Sequence, residues 1–528
     1  MRFFNTVGPS RPEKHYCLSP LSRFDLPEVL SLIEQEKYFI LHAPRQTGKT
    51  TCLLTLMNYL NREGIYKSLY INVEVGQSAR ENVYRGIRAV LGEIASRAKN
   101  FLLDDFPLKN MKDILELYGE DKALNEMLSQ WSKNANKPTV LFIDEIDSLV
   151  GDTLIAVLRQ LRAGYDMRPS AFPQSIILCG VRDIQDYRIH SFKEKMIITG
   201  GSAFNVKAKS LRLDDFNLED IQNLYAQHTK ETGQLFEEGL TNYIWELTSG
   251  QPWLVNALGQ EVCFEMKEGR DRLHPITVDM VIRAKENLIK RRETHLDQLV
   301  DKLKEDRVRR VIEPMLKSED LKGQVSDDDL QYVIDLGLAR IATTGLEIAN
   351  SIYREIIPRQ LTTIAQVNIE SSFQTVWYIM QDGRLDMAKL MTAFQDFFRE
   401  HSESWVERFE YKEAGPQLLL QAFMQRIING GGRIEREYGL GRKRTDLLII
   451  WHYTGGTQKV VIELKILYKK LEKTIIEGLK QTSEYMDKCS TKDGHLVIFD
   501  RTPNKLWDEK IFVKNEKYDT HTITVWGM

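Results

Sequence analysis

The stretch Tyr38-Phe39-Ile40-Leu41-His42-Ala43-Pro44-Arg45-Gln46-Thr47-Gly48-Lys49-Thr50-Thr51 combines an apolar run with a glycine, a lysine and two hydroxyls at close spacing. The apolar run suits a short buried strand, and the residues from Thr50 toward Leu60 suit a helix. Between them, Ala43-x4-Gly48-Lys49-Thr50 suits a loop that wraps phosphate. Main-chain N–H groups and the helix N-terminus hold the anion, Lys49 neutralises its β/γ oxygens, and Thr50 offers a hydroxyl to Mg²⁺. Ala43, Arg45, Gln46, Thr47, Gly48, Lys49, Thr50 and Thr51 are therefore the candidate nucleotide contacts. Ala43 stands where a glycine is usual, which only requires that position to avoid a positive φ. The bland alternative is a strand, a turn and a helix cap that happen to contain Gly-Lys-Thr.

About 95 residues later, Thr139-Val140-Leu141-Phe142-Ile143-Asp144-Glu145 reads as a buried parallel strand whose carboxyl end carries two acids. Asp144 suits Mg²⁺, directly or through water, and Glu145 suits a group that orients or deprotonates the attacking water. Arg182 and Asp183 follow another apolar run, Ser175–Gly180, where Arg182 is either a sensor of the γ-phosphate or half of a surface ion pair. Strands and helices alternating over residues 38–215 give a mostly parallel sheet covered on both faces. Asn217 caps a helix, and Thr248-Ser249-Gly250-Gln251-Pro252 breaks and restarts another.

Together LHAPRQTGKTT, LFIDEID and TSGQPWLVNAL resemble AAA-like P-loop ATPases of the branch near the STAND and archaeal-type enzymes, over roughly residues 1–270. The resemblance implies bound ATP and Mg²⁺, and a helical lid in which Gly250-Gln251-Pro252 approaches the phosphates, so Pro252 joins the nucleotide contacts. It also implies a homo-oligomer with an arginine supplied by a neighbour, for which Arg159, Arg162 and Arg188 all remain open. Arg2-Phe3-Phe4-Asn5 and His15-Tyr16 either fold over a nucleotide base or cover a sheet edge.

A second chemical constellation begins after Trp405. Glycine turns separate three strand-like runs, and period-two geometry puts Glu463 and Lys465 on one strand face with Asp446 near the start of the neighbouring strand. Two carboxylates and an ammonium suit a hard divalent ion and phosphodiester cleavage. The plain alternative is a surface strand with an i,i+2 charge pair. Asp446-x16-Glu463-x-Lys465, followed by Gln481-x3-Tyr485, resembles the PD-(D/E)XK nucleases of the RecB-like branch, with Thr445-Asp446 in place of Pro-Asp. The resemblance implies catalytic roles for Asp446, Glu463, Lys465 and Gln481 and an Mg²⁺ or Mn²⁺ ion. It also implies one more metal-binding acid, Glu413 or, behind it, Glu437. Arg442-Lys443-Arg444 and Lys469-Lys470 flank the acids and suit backbone phosphates, or are plain solvated loop charges.

The expected architecture is α/β and multidomain: ATPase core 1–213, helical lid 214–290, winged-helix-like domain 291–360, helical connector 361–404 and nuclease domain 405–528. The 528-residue chain is 42% hydrophobic and 28% charged, as expected of a soluble globular protein. Its net charge of −3 excludes a uniformly basic nucleic-acid coat. From residue 401 on there are 21 Lys+Arg against 18 Asp+Glu, a net +3 that leaves −6 for residues 1–400. The C-terminal part is therefore the one suited to a polyanion. Five scattered cysteines without metal spacing read as free thiols. With no signal-like or membrane-length apolar run, a cytoplasmic protein is expected. The combined expectation is an ATP-regulated nuclease acting on double-stranded DNA, with a place in defence against foreign DNA implied by the resemblance. The alternative is a regulatory ATPase whose nuclease-like domain binds nucleic acid or a partner without cutting.

Overall fold

The computed structural model describes residues 1–183, 188–191, 196–199, 203–291, 294–316, 325–342, 345–361, 378–406, 416, 419–421, 423–424, 432–440, 443–467, 470–500, 502 and 505–528. The chain falls into two compact units. One comprises Met1–His295, Leu330–Ala339 and Ala349–Ser351, and the other comprises Leu296–Asp329, Arg340–Ile348 and Ile352–Met528.

The first unit is built on a five-stranded sheet, in the order Lys67–Asn72, Thr139–Asp144, Ser175–Gly180, Tyr38–His42, Lys207–Arg212. All four pairings are parallel. Alternate residues of the apolar runs enter two separate cores. Tyr38, Ile40, Leu141 and Ile143 pack under the helices Val83–Leu102, Phe106–Asn134 and Gly151–Ala163. Phe39, Leu41, Val140 and Phe142 pack under Leu26–Glu34 and Lys49–Glu63. Burial on both faces is why these strands read as continuous apolar runs. The 29-residue helix Phe106–Asn134 is interrupted at Gly119 (φ 62°, ψ −178°).

The two short N-terminal strands, Phe3–Phe4 and His15–Tyr16, pair in parallel with each other and join neither large sheet. Phe4 is fully buried among the rings of Tyr16, Tyr225, His228 and Phe264. This corrects the expectation of a sheet-edge cover: Phe4 and Tyr16 complete the core of the helices after residue 217. Of those helices, Leu218–Thr232 starts with a full capping box between Asn217 and Asp220 and stops at Gly233, whose φ is 76°. The break at Ser249-Gly250 is tightly seated. Gly250 has a φ of +81°, a Cβ added there would lie 1.7 Å from the Phe216 carbonyl oxygen, and Phe216 N–H donates to the Gly250 carbonyl at 2.8 Å. His295 stacks on Trp253 with ring centres 4.8 Å apart.

Beyond residue 294 come the helices Thr294–Lys302, Asp306–Leu316 and Asp327–Asp335, a two-stranded sheet of Ala339–Ala342 and Gly345–Ile348, and the helix Ser351–Leu361. The second unit contains a six-stranded sheet ordered Gly432–Leu440, Lys443–Tyr453, Gly456–Ile466, Asp493–Phe499, His521–Gly527, Phe512–Tyr518. The first three strands and the last pair are antiparallel, and the central pairings are parallel. Helix Leu471–Cys489 covers one face. Met387–Val406, in the stretch expected to be a connector, supplies Leu390, Phe394 and Phe398 to the core of the other face.

Two stability predictions follow from this packing. Gly250→Ala forces a side chain into left-handed backbone, worth ~1–2 kcal/mol, and onto a carbonyl besides. The first unit's unfolding midpoint in urea is expected to fall, and an unchanged midpoint would refute the close seating. Burial lowers the His295 pKa from 6.5 to about 3. The unfolded chain thus binds a proton that the folded chain refuses between those values. Stability present above pH 6.5 is lost as pH falls toward 3, by up to ~1.4 kcal/mol per pH unit from this group. His295→Phe keeps the stack, so its denaturation midpoints at pH 7, 6, 5 and 4 should fall less steeply than those of the wild type.

Candidate functional site

At the carboxyl end of the first sheet, His42 leads into the phosphate-binding loop. Ala43 is fully buried, lies outside the positive-φ residues, and donates its N–H to the Gly180 carbonyl at 3.3 Å. The left-handed positions of the loop are Gln46 (φ 59°) and Gly48 (φ 94°), while Arg45 and Gln46 expose their side chains. Thr47 Oγ1 donates to the Pro44 carbonyl at 2.9 Å. Lys49 is buried, its Nζ donating to the carbonyls of Ala43 and Pro44 at 2.9 Å each. Helix Lys49–Glu63 begins directly behind, with Gly48 as its N-cap, so its free N–H groups open into the loop. Thr51 Oγ1 accepts the Ser10 N–H at 3.0 Å.

The neighbouring acids converge on this loop. Asp144 has no exposed surface, and its Oδ2 accepts hydrogen bonds from Thr50 Oγ1 (2.7 Å) and Tyr70 Oη (2.9 Å). Its Oδ1 accepts the Glu145 N–H at 2.9 Å. Glu145 is left-handed (φ 56°) and half-buried. Burial, then the charges of Asp147 and Asp144, push its carboxyl above the ordinary range against the pull of Lys49 and Arg45. A hydroxyl and a carboxylate in contact form a hard-oxygen donor pair that fits Mg²⁺, which otherwise keeps its waters. Among the described residues no group of three or more His, Cys, Asp or Glu gathers as a metal cluster.

Arg182 follows the strand next to the loop, but it is buried and pairs with Asp335, not with its sequence neighbour. Arg182 Nε lies 3.2 Å from Asp335 Oδ2, with side chains 7% and 1% exposed, and its guanidinium sits 4.9 Å from the Tyr332 ring centre. Asp183 pairs instead with Lys207 at 2.6 Å. Two residues past Asp335, Gly337 (φ +75°) approaches so closely that an added Cβ would lie 2.9 Å from Pro44 Cβ and Cγ. Pro252 is buried at the first turn of its helix, whose N-cap Gln251 accepts the Leu254 N–H at 2.7 Å. Arg159 and Arg162 are exposed on Gly151–Ala163, and Arg188 begins the strand Arg188–Ser191.

Three residues of this site were missed in the sequence: Tyr70, Asp335 and Arg23. Arg23 Nη1 donates to the Thr47 carbonyl at 3.3 Å and Nη2 to the Asp214 carbonyl, while the guanidinium covers the Phe216 ring at 4.5 Å. It thus ties the loop to the Asp214–Phe216 segment on which Gly250 is seated.

In the second unit, Glu463 is 3% exposed near the carboxyl end of Gly456–Ile466, and Lys465 Nζ donates to its Oε1 at 2.6 Å. Both share by alternation the face of Val461, which packs in the core under Leu471–Cys489. That helix carries half-buried Gln481 and buried Tyr485. The register between the two strands runs as far as Leu447 opposite Ile462, the sequence neighbours of Asp446 and Glu463. The side chains of Asp446 and Glu437, and all of Glu413, Arg442 and Lys469, lie outside the described residues. Lys470 is exposed at the N-cap of Leu471–Cys489.

The buried Arg182–Asp335 pair makes a direct prediction. Asp335→Asn removes the carboxylate paired with a buried guanidinium and is expected to cost ~3–5 kcal/mol in chemical denaturation. Arg182→Met combined with Asp335→Leu should recover most of that loss. A single variant as stable as the wild type would show that the pair is not held in solution.

Residues 33–187 match the AAA domain family. No curated protein sequence matches the chain. Among solved structures the chain is similar to the Walker-type ATPase PABY2304 of Pyrococcus abyssi, at 15% identity and a TM-score of 0.45, covering 67% of this chain and 99% of that one. It is also similar to the RuvB Holliday junction branch migration motor of Thermotoga maritima (12% identity, 63% and 95% covered, TM-score 0.33). A third is domain III of the Thermotoga maritima replication initiation protein DnaA (15% identity, 54% and 100% covered, TM-score 0.32). The family match covers four of the five parallel strands and the phosphate-binding loop, and the protein carries an AAA-type P-loop ATPase domain.

Proposed function

We propose that this protein is an ATP-regulated, metal-dependent nuclease, in which the ATPase domain governs a C-terminal PD-(D/E)XK-type phosphodiesterase acting on double-stranded DNA. The observation that carries the nuclease reading is the contact of Lys465 with the buried Glu463, on a strand paired in register with the one that bears Asp446. A carboxylate held in a sheet costs several kcal/mol to desolvate unless a charge compensates it. A lysine two residues away supplies that charge on the same face. The proposed domains are those expected from the sequence, 291–360 as a winged-helix-like domain and 405–528 as the nuclease domain, with helix Met387–Val406 completing the core of the latter.

In the ATPase site the loop N–H groups and Lys49 bind the phosphates, and Arg182 and Pro252 approach from the adjoining strand and the lid. Thr50 and Asp144 hold Mg²⁺, which when bound neutralises charge developing on the phosphates. Glu145, with its raised carboxyl, accepts the proton of the attacking water. In the nuclease site Asp446 and Glu463, with Glu413 or Glu437, hold Mg²⁺ or Mn²⁺, a cation that polarises the scissile phosphate. Lys465 neutralises the developing negative charge, and Gln481 orients the substrate from the covering helix. Exposed Arg159 and Arg162 suit a trans contact in a homo-oligomer. We place the protein in the cytoplasm, in defence against foreign DNA; among the described residues no helix is long and apolar enough to cross a membrane.

The test is cleavage of linear and circular duplex DNA with Mg²⁺ or Mn²⁺, with no nucleotide, with ATP, or with a non-hydrolysable analogue. Asp446→Ala and Lys465→Ala should each lower cleavage ~10²-fold or more, and Lys49→Ala should abolish the nucleotide response. Cleavage that survives both nuclease-site changes refutes the reading. Absence of cleavage with intact ATP hydrolysis replaces it with a regulatory ATPase whose C-terminal domain binds nucleic acid or a partner.

A further inference from the structure

We infer that Tyr70 is a positioning residue of the ATPase site, its hydroxyl fixing the Asp144 carboxylate so that the Thr50 hydroxyl and Asp144 Oδ1 face the magnesium position. The inference rests on the P-loop domain and is independent of the nuclease reading.

Tyr70 lies in the strand Lys67–Asn72, paired in parallel with Thr139–Asp144, with Tyr70 opposite Phe142 and Asn72 opposite Asp144. From that register its phenol reaches along the sheet to the carboxylate, where Oη lies 2.9 Å from Asp144 Oδ2. The ring is 4% exposed, and the Arg97 guanidinium stands 5.6 Å from its centre. The hydroxyl carries the proton of this contact, so the phenol is the donor and the carboxylate the acceptor.

The consequence follows from counting lone pairs. A carboxylate oxygen accepts about two hydrogen bonds in its plane. Asp144 Oδ2 takes one from Tyr70 and one from Thr50 Oγ1, at 2.9 and 2.7 Å, and is thereby filled. Oδ1 takes the Glu145 N–H at 2.9 Å, the Cys179 thiol is a further, weak donor to the carboxylate, and Oδ1 is the oxygen left to face a cation or a cation-bound water. Thr50 spends its single proton on Oδ2, which leaves its own lone pairs for the cation. Without the phenol, Oδ2 has an open position, and the carboxylate can turn to offer either oxygen. The donor from the adjacent strand thus selects one arrangement of two, which is how outer partners tune a metal site without touching the metal.

The experiment titrates Mg²⁺ against the affinity of the full-length protein for a fluorescent ADP analogue, in wild type, Tyr70→Phe, Asp144→Asn and the double variant. Tyr70→Phe should raise the Mg²⁺ concentration giving half the affinity gain by ~10-fold or more, while leaving the affinity in EDTA unchanged. In the Asp144→Asn background it should add nothing, the two changes acting through one contact. An unchanged Mg²⁺ midpoint, or an equal loss with and without Mg²⁺, would make Tyr70 a core side chain only and overturn the inference. Should Tyr70→Phe not fold, a structure of the wild type with Mg²⁺ and ADP decides. The phenol remains on Asp144 Oδ2 if the inference holds, and its departure overturns it.

Discussion

A carboxylate with no exposed surface stands at the end of a strand buried on both faces, and the ATPase site is arranged to make that tolerable. Burying a carboxylate in such a place costs several kcal/mol unless it is hydrogen-bonded. Donors arrive from three separate elements: Thr50 from the P-loop helix, Tyr70 from the neighbouring strand, and the main chain of Glu145. Each is delivered by sheet register or by a helix start. The five-stranded sheet is therefore the part that must form correctly before the loop has anything to close on.

Much of this was readable in the chain because the signals are local. Parallel strands covered on both faces have no polar alternation, so LFID and SIILCG announce themselves. Asn217 lies at the start of its helix as expected, since a cap depends only on residues three apart. Ala43 in place of glycine raised a geometric question that the loop answers by putting its left-handed residues at Gln46 and Gly48. What stayed hidden was non-local. Arg182 and Asp335 are 153 residues apart, and nothing near either one names the other. Tyr70 reads as one more apolar strand residue until register brings it to Asp144.

The same reason explains two elements whose place the sequence pattern did not show. Strand Phe512–Tyr518 is an edge with exposed Lys514 and Lys517 flanking half-covered positions, so it carries little apolar signal. Helix Met387–Val406 has an apolar face, but periodicity alone does not say what that face meets. Its Phe394 and Phe398 meet the six-stranded sheet, so the second core begins upstream of the change in composition near Trp405.

Gly337 against Pro44 and Asp335 against Arg182 are two contacts made by residues only two positions apart. One grips the loop that would carry nucleotide, and the other grips the arginine on the strand beside it. Only one residue separates the two contacts in the chain, so a single short segment braces both the loop and the arginine on the strand beside it.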